Sequence, residues 1–465
     1  MPVDDAPALP RSTPSAQGVS SAGIGALLDA VEAAPDLELH SLMVLRHGHV
    51  VAEGWWAPYG PDEAHLLYSL SKSFTATAAG LAAAEGLLSF DEPVVSYFPE
   101  LADAAVDERS RAMLVRHVAA MASGHVEDTL DRVVTLDPEE PVRAFLGLAP
   151  EQDPGSVFCY NNGATYVLGA IVQRVTGQTL LGYLRPRLLD PLGIGPGYWH
   201  QRPQGRELGF SGLHLRTEDL ARFGQLYLDD GVWRGERLLP EGWVADASAV
   251  HTPNPAEPNP DWQQGYGYQL WRSRHGYRGD GAYGQFCLVL PEQDLVVVTT
   301  AQTENMQGLI DTVWDHLLPG VDAPTPDEDA ALADRLAGLA LPADGGGLLG
   351  TAAPEAAAEV EVAAVEDEAD GGWTLTLVED GARLPVRCGD GRWVRSEVAL
   401  GERRLVVAAS GSLAGDRLVV QLVLLQTPHR LVVEVDRASL RAEGRWLTVP
   451  LHRPGFAGLS TGTWA

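Results

Sequence analysis

Ser69 and Lys72 stand three residues apart in the stretch "YSLSKSFTATAAG", residues 68–80. At the start of a helix that spacing puts both side chains on one face, about one turn apart. A serine hydroxyl becomes a nucleophile when a neighbouring base takes its proton, and an amine is such a base only after losing its own. Lys72 is the sole lysine among 33 Lys and Arg residues. Arginine stays protonated in proteins, whereas an ammonium can be driven to the neutral amine by burial or nearby positive charge. To act near pH 7 a lysine must fall by roughly three units from ~10.4, an environmental bias of about 4 kcal/mol. Burial in a cleft beside a helix N-terminus pushes that way, and the same helix end offers the Ser69 amide to a developing oxyanion. The plainer reading is a leftover surface cation in an arginine-rich composition, and S-x-x-K alone is a common accident.

Companions to the pair follow in the chain. In "CYNNGATYVLGAIVQRVTG", Tyr160 and Asn162 alternate on an extended segment and face one side, just before a helix. A phenol can relay the serine proton to a leaving group, and an amide can orient the lysine or a substrate carbonyl. The plain alternative is a core tyrosine and a helix-capping asparagine. A third stretch, "RGDGAYGQFCLVLPEQDLVVV", places Gly279, Gly281 and Gly284 in a G-x-G-x-x-G pattern. A dinucleotide site would need a helix to follow, and an apolar strand-like run follows instead. The glycines rather let a backbone edge approach a ligand closely. Upstream, "DWQQGYGYQLW" gathers Trp262, Tyr266, Tyr268 and Trp271, aromatics that could line an acyl pocket or fill a core.

The elements that must position these residues read as two domains in 465 residues, 45% of them hydrophobic. "IGALLDAVEAAP" is an amphipathic helix and "HSLMVLRHGHVVAEGWW" a hairpin turning at Gly48, with His47 and His49 as solvated tip residues. A helix is predicted from Ser71 to Glu85, closed by Gly86. Helical stretches then alternate with Gly- and Pro-rich loops until "QFCLVL" and "DLVVVTTA" return as strands. Strands at both ends with helices between them argue an α+β domain over 1–320. A Pro-Thr-Pro opening, a short acidic helix and a triple glycine make 321–347 the linker. Regularly spaced β runs from "WTLTLVED" to "RLVVEVDRA" make 348–465 a small all-β domain, a sheet or a lipocalin-like barrel.

A formal charge of −30 argues against nucleic acid and anionic membrane surfaces as general partners. Cys159, Cys287 and Cys388 are dispersed and odd in number, which suggests neither a disulfide framework nor a metal site. With no apolar run near 18 residues and no basic, apolar leader, a cytoplasmic protein without metal or cofactor is expected; its oligomeric state is not legible.

Taken in order, the three stretches resemble the class C β-lactamase and penicillin-binding-protein superfamily of serine hydrolases, which includes esterases, D-peptidases and 6-aminohexanoate-dimer hydrolases. Its S-x-x-K, Y-x-N and final K-T-G or H-x-G strand correspond to Ser69–Lys72, Tyr160–Asn162 and Gly279–Asp280–Gly281. The likeness extends over roughly residues 12–305 through "VRHVAAMASGH", "GFSGLHLRTEDLARFGQLYL" and "GERLLPEGWV". It implies the β-lactamase/transpeptidase-like fold and an acyl-enzyme route. Ser69 would attack, Lys72 and Tyr160 would share the proton, Asn162 would orient, and the amides of Ser69 and Ala282 would form the oxyanion hole. Gly279, Asp280, Gly281, Tyr68, Trp271 and Tyr283 are the expected substrate-binding residues. Gly279 stands where the family usually carries Lys or His, removing a cation that helps hold a substrate carboxylate. Asp280 beside it then favours a neutral or amine-bearing ester, amide or peptide, or is simply a turn aspartate facing water. Acyl transfer to an amine, as in a peptide cyclase, and a non-catalytic binding protein on the same fold are the alternatives to hydrolysis. No G-x-S-x-G elbow competes for the nucleophile.

Overall fold

The structure is a computed structural model and describes residues 8–343, 357–451 and 455–462. Its first part is built on a six-stranded antiparallel sheet. The strands are β1 (Leu39–Arg46), β2 (His49–Trp55), β3 (Trp271–Arg272), β4 (Tyr277–Gly281), β5 (Gln285–Leu290) and β6 (Leu295–Ala301), in the order β2-β1-β6-β5-β4-β3. The N-terminal hairpin thus lies against the last strand of the same domain, with Met43 opposite Val298 and Val44 opposite Val297. This unites chain segments some 250 residues apart, which local pattern alone cannot pair.

Both faces of the central strands are buried, because helices cover each side. Val44, Leu42 and Val297 point toward α1 (Ser21–Ala33), whose Ile24, Leu27, Leu28 and Val31 form one apolar stripe. Met43, Leu45, Val296 and Val298 point the other way, toward α2 (Ser71–Ala84) and a helical region containing α3 (Asn162–Thr176) and α4 (Thr217–Leu228). The two sets alternate along each strand, as the pleat requires. α2 runs through this second core, and its alanines let neighbours approach from all sides. It ends as expected, with Gly86 in the left-handed conformation at φ 74° just past Glu85. In α4, Gly224 lies so close to the sheet that a Cβ there would sit 2.6 Å from Val296 Cγ1.

Downstream, α5 (Met306–Thr312) and the acidic helix α6 (Asp329–Ala337) pack on the α1 side. The stretch expected as a linker with a short helix packs on this core: Leu332, Leu336, Leu339 and Leu341 are buried, and Gly54 of β2 leaves room for Leu339. The triple glycine at 345–347, expected to close the linker, lies outside the described residues.

The C-terminal part is a β sheet of β7 (Glu361–Asp367), β8 (Trp373–Glu379), β9 (Ala382–Asp390), β10 (Val394–Leu400), β11 (Arg403–Ala414), β12 (Arg417–Leu424), β13 (Arg430–Asp436) and β14 (Ala442–Trp446). It is antiparallel except where β9 meets β11 in a short parallel pairing, Gly389 opposite Ser410, with β10 paired to the first half of β11. Ala357 and Ala358 pair with β14, while β7, a few residues later, pairs with β8. One stretch of chain therefore touches both ends of the sheet and curls it into a barrel. Leu375, Leu377, Val386, Val407, Val420, Leu422 and Val433 fill the inside. Outward-facing Val406, Ala408 and Val423 join the core that contains Trp56, Tyr59 and Leu341, so barrel and first part share a buried junction. Among the described residues no helix is long and apolar enough to cross a membrane.

Candidate active site

The N-terminus of α2 places Ser69 and Lys72 as the three-residue spacing predicts. Ser69 sits in a short 3₁₀ turn, Tyr68–Leu70, that runs directly into the helix. Lys72 is 1% exposed, and its Nζ is 2.8 Å from Ser69 Oγ. Two further oxygens surround the same nitrogen: Asn162 Oδ1 at 2.7 Å and the Phe210 carbonyl at 2.8 Å. The face of the Tyr160 ring closes the fourth side, 4.8 Å away at its centroid. Burial brings the Lys72 ammonium down to about 7, against the opposing pull of the Asp128 and Asp280 carboxylates.

That surround has a chemical consequence. As an ammonium, Lys72 has three donors for three oxygens. As an amine it keeps two N–H groups for Asn162 Oδ1 and the Phe210 carbonyl, which can only accept. The lone pair is then left facing Ser69, the one neighbour whose hydroxyl can donate.

Asn162 is the first residue of α3, and the asparagine that caps the helix is Asn161, which accepts from Ala164 N–H and from Thr129. This frees Asn162 to reach into the site. Its orientation is set by Asp128, which accepts from the Asn162 backbone N–H at 2.9 Å and from its Nδ2 at 2.6 Å. With Nδ2 committed to a carboxylate, Oδ1 must face Lys72. Sequence reasoning missed Asp128, which lies in "SGHVEDTL" outside every motif and comes to the site only by folding. It also missed the Phe210 carbonyl, since a backbone acceptor leaves no trace in residue type.

Tyr160 is half-buried, with its phenol pushed well above its ordinary pKa by burial and a hydrogen bond to Ser69 opposing that rise. Trp271 stacks on it, ring centroids 5.5 Å apart, and Tyr266 and Trp262 pack behind. At 5% exposure Trp271 belongs to this supporting layer and not to the cavity wall where a substrate contact was expected.

The third stretch forms the β4–β5 hairpin, with no helix after its glycines. Gly279 lies over Leu70 and Ser73, and a Cβ on Gly281 would stand 2.1 Å from the Leu67 carbonyl. These contacts press the strand edge, and Ala282 after it, against the chain entering Ser69. Asp280 is 8% exposed and accepts from Arg278 Nε at 2.9 Å, so the water-facing turn aspartate considered from sequence is replaced by a buried ion pair. Burial lifts its carboxyl to about 6, with Arg278 and Lys72 pulling it back. Because Arg278 balances its charge, Asp280 is a weaker anchor for a substrate amine than the sequence suggests. Of the two tyrosines expected to bind substrate, Tyr68 lines the cavity beside Ser69 while its hydroxyl donates to His429 Nε2 of the C-terminal barrel, and Tyr283 lies outside the cavity wall and donates to the Val449 carbonyl.

A cavity of about 500 Å³ opens on Ser69 and Asn162. Leu130, Val134 and Phe210 give it an apolar wall, Arg202 and Arg403 add cations, and Leu451 and Leu459 close it from the barrel side. Among the described residues no group of His, Cys, Asp or Glu is arranged to hold a metal.

Comparison with known proteins agrees with this geometry. The beta-lactamase family profile matches residues 30–317. The chain is 29% identical over 303 residues to a 6-aminohexanoate-dimer hydrolase from Paenarthrobacter ureafaciens, covering 57% of this chain and 74% of that protein. It is 28% identical over 209 residues to esterase EstB from Burkholderia gladioli, covering 39% of this chain and only about half, 53%, of the esterase. The crystal structure of SurE with D-Leu superposes with a TM-score of 0.52 at 22% identity, over 92% of this chain and 99% of SurE, so that protein shares the two-part architecture. The family match spans more than half of the sequence and contains all three motifs: the chain belongs to the beta-lactamase family and is, in the broad sense its hydrolase relatives share, a serine hydrolase.

Proposed function

We propose that the protein cleaves esters or amides of small molecules or peptides through an acyl group carried on Ser69. The observation that carries this reading is the buried Lys72 amine, 2.8 Å from Ser69 Oγ and lowered to about 7. Neutral Lys72 takes the Ser69 proton as Oγ attacks the carbonyl carbon. The resulting oxyanion is met by the amides of Ser69 and Ala282. Tyr160, its phenol kept protonated by burial, passes a proton to the departing alcohol or amine and regains one from Lys72. Water then repeats the attack on the acyl-serine and releases the acid. Asn162 holds Lys72 in place, and Asp128 holds Asn162.

The apolar wall of the cavity suits an acyl group of modest size, and the absence of a cation at Gly279 disfavours substrates that present a carboxylate there. The name of the Paenarthrobacter relative supports amide substrates, and that of EstB supports esters. Acyl transfer to an amine is the second reading. It is favoured by Leu451 and Leu459, which shield the cavity from one side, and by the D-Leu in the SurE complex, an amino acid offering both an acyl group and an amine. Three unpaired cysteines fit the cytoplasmic setting expected from sequence.

A fluorophosphonate probe tests the reading. Labelling of the wild-type protein that disappears in Ser69→Ala supports it; labelling that persists places the nucleophile elsewhere. Adding an amine during turnover of an activated ester separates the two outcomes, since an amide product shows transfer and free acid alone shows hydrolysis.

A further inference from the structure

Tyr68 immediately precedes Ser69, and Tyr283 immediately follows Ala282. Both take a left-handed backbone, at φ 47° and 66°. Residues with a Cβ stay in that region only where their surroundings hold them there. Both side chains reach the C-terminal barrel. Their rings are 6% and 7% exposed and meet edge-to-face with centroids 5.3 Å apart. Each also packs edge-on against the His429 ring, at 5.8 Å and 5.2 Å.

The hydroxyls complete the attachment. His429 Nδ1 lies 3.2 Å from the Thr448 carbonyl, an obligate acceptor, so Nδ1 carries the proton and Nε2 is left as an acceptor for the Tyr68 hydroxyl. Tyr283 donates to the Val449 carbonyl at 2.6 Å. Two residues upstream of Tyr68, Leu66 N–H donates to the Gln426 carbonyl at 2.8 Å, so the barrel grips the chain entering the nucleophile at two points. The backbone angles of Tyr68 aim the peptide that carries the Ser69 N–H. Tyr283 fixes the turn whose first residue carries the Ala282 N–H.

We propose that the C-terminal barrel holds the oxyanion-binding amides of Ser69 and Ala282 in register, with Tyr68, Tyr283 and His429 acting as positioning residues. This rests on the reading of Ser69 and Ala282 given above. It assigns the appended domain a part in the catalytic step that the β-lactamase-like motifs do not imply. Losing one oxyanion donor outright costs on the order of 10²–10³ in kcat, so loosening its aim by one strut costs about tenfold.

The experiment uses the full-length chain carrying Tyr68→Phe, Tyr283→Phe, His429→Ala or His429→Gln. Hydrolysis of 4-nitrophenyl acetate and inhibition by phenylboronic acid, whose tetrahedral adduct places an oxygen in the same hole, are measured together. Each Phe variant and His429→Ala is expected to lose about tenfold in kcat, with KM within about twofold and boronate affinity falling in step. His429→Gln, which restores an acceptor for Tyr68, recovers most of the loss. The Phe variants keep ring and packing, so they decide the matter even if His429→Ala unfolds. Folded Phe variants with wild-type kcat and boronate affinity overturn the proposal, as does a rise in KM at unchanged kcat, which would make the tyrosines substrate contacts. A Ser69→Ala control separates the two ideas: turnover that survives in it sinks the Ser69 reading, whereas Ser69-dependent turnover with unchanged Phe variants sinks only the role of the barrel.

Discussion

Asp128 grips Asn162 twice, through the backbone N–H at 2.9 Å and through Nδ2 at 2.6 Å. An amide has two chemically different ends, and only this double contact decides which of them meets Lys72. Asp128→Ala frees the amide to present its NH₂ to an ammonium, which repels it. We expect kcat/KM to fall about 10- to 100-fold with the fold intact, because general-base catalysis contributes on the order of 10²–10⁴ and misalignment removes part of it. Asp128 also raises the Lys72 pKa, so its removal moves the acid limb of the rate profile to lower pH. The shift is small, because Asp128 is exposed and screened by water. A rate profile with unchanged height and position would show that Asp128 has no hold on the site.

Lys72 itself sets the main pH dependence. With Lys72 as the proposed base, turnover needs the amine, so kcat/KM is expected to rise through about pH 7 and level above it. Stability follows the same group. Between about 7 and its ordinary 10.5 the unfolded chain binds a proton that the folded chain does not, so folding gains with rising pH across that window. Below it the charge is buried and the cost is fully present. Replacing Lys72 with Met removes this slope: relative to the wild type, the variant's stability is highest near pH 6, and the difference shrinks by up to roughly 4 kcal/mol toward pH 10. Denaturant titrations at several pH values measure it, and parallel curves for the two proteins would contradict the buried, lowered lysine.

The same residue marks how far the sequence could be read. S-x-x-K at a helix start and Y-x-N before the next helix carry their geometry in their spacing, because a helix fixes what three residues mean. Asn161 and Asn162 show the limit: both types suit a cap, and only the fold assigns the cap to Asn161 and the site to Asn162. Asp128, the Phe210 carbonyl and His429 are joined to the site by contacts up to 361 residues apart in the chain, which no window registers. Trp271 and Tyr283 were legible as aromatic but not as to direction. Whether a ring faces a ligand or supports a neighbour depends on packing across elements. The C-terminal strands were plain from their alternation, whereas barrel closure depends on 357–367 meeting both β14 and β8.

Arg278 and Asp280 form a buried pair beneath Tyr160, with Arg278 fully inaccessible and its guanidinium 4.3 Å from the Trp262 ring centroid. Asp280→Asn removes the carboxylate hydrogen-bonded to that guanidinium and leaves only Asp261, already paired with Arg274, to act on its charge. We expect a loss of about 3–5 kcal/mol in unfolding free energy, visible in a denaturant titration. The change also lowers the Lys72 pKa further, because Asp280 is one of the two carboxylates that raise it. Any remaining activity should therefore begin at lower pH than in the wild type. A variant of ordinary stability would mean that Arg278 finds its balance elsewhere.

Gly281 is a close approach between the two segments proposed to supply the oxyanion amides. A methyl group there would lie 2.1 Å from the Leu67 carbonyl and 3.0 Å from Gln285 Cβ, and the first of these neighbours is backbone that cannot swing aside. Gly281→Ala must therefore part β4 from the chain entering Ser69, moving Ala282 away from the carbonyl it is to polarise. The hydrogen bonds of Lys72 to Ser69, Asn162 and the Phe210 carbonyl do not involve β4, so acid–base function is expected to survive while oxyanion stabilisation is not. The expected result is a fall in kcat of about 10²–10³ with the acid limb of the pH profile moved only slightly, to lower pH, as Asp280 on the same strand draws away from Lys72. Gly279→Ala, where the nearest atoms are the side chains of Leu70 and Ser73 at 3.1 Å, has room to adjust and should cost far less. Equal effects at the two positions would mean that the close approach of Gly281 to Leu67 has no special part in the reaction.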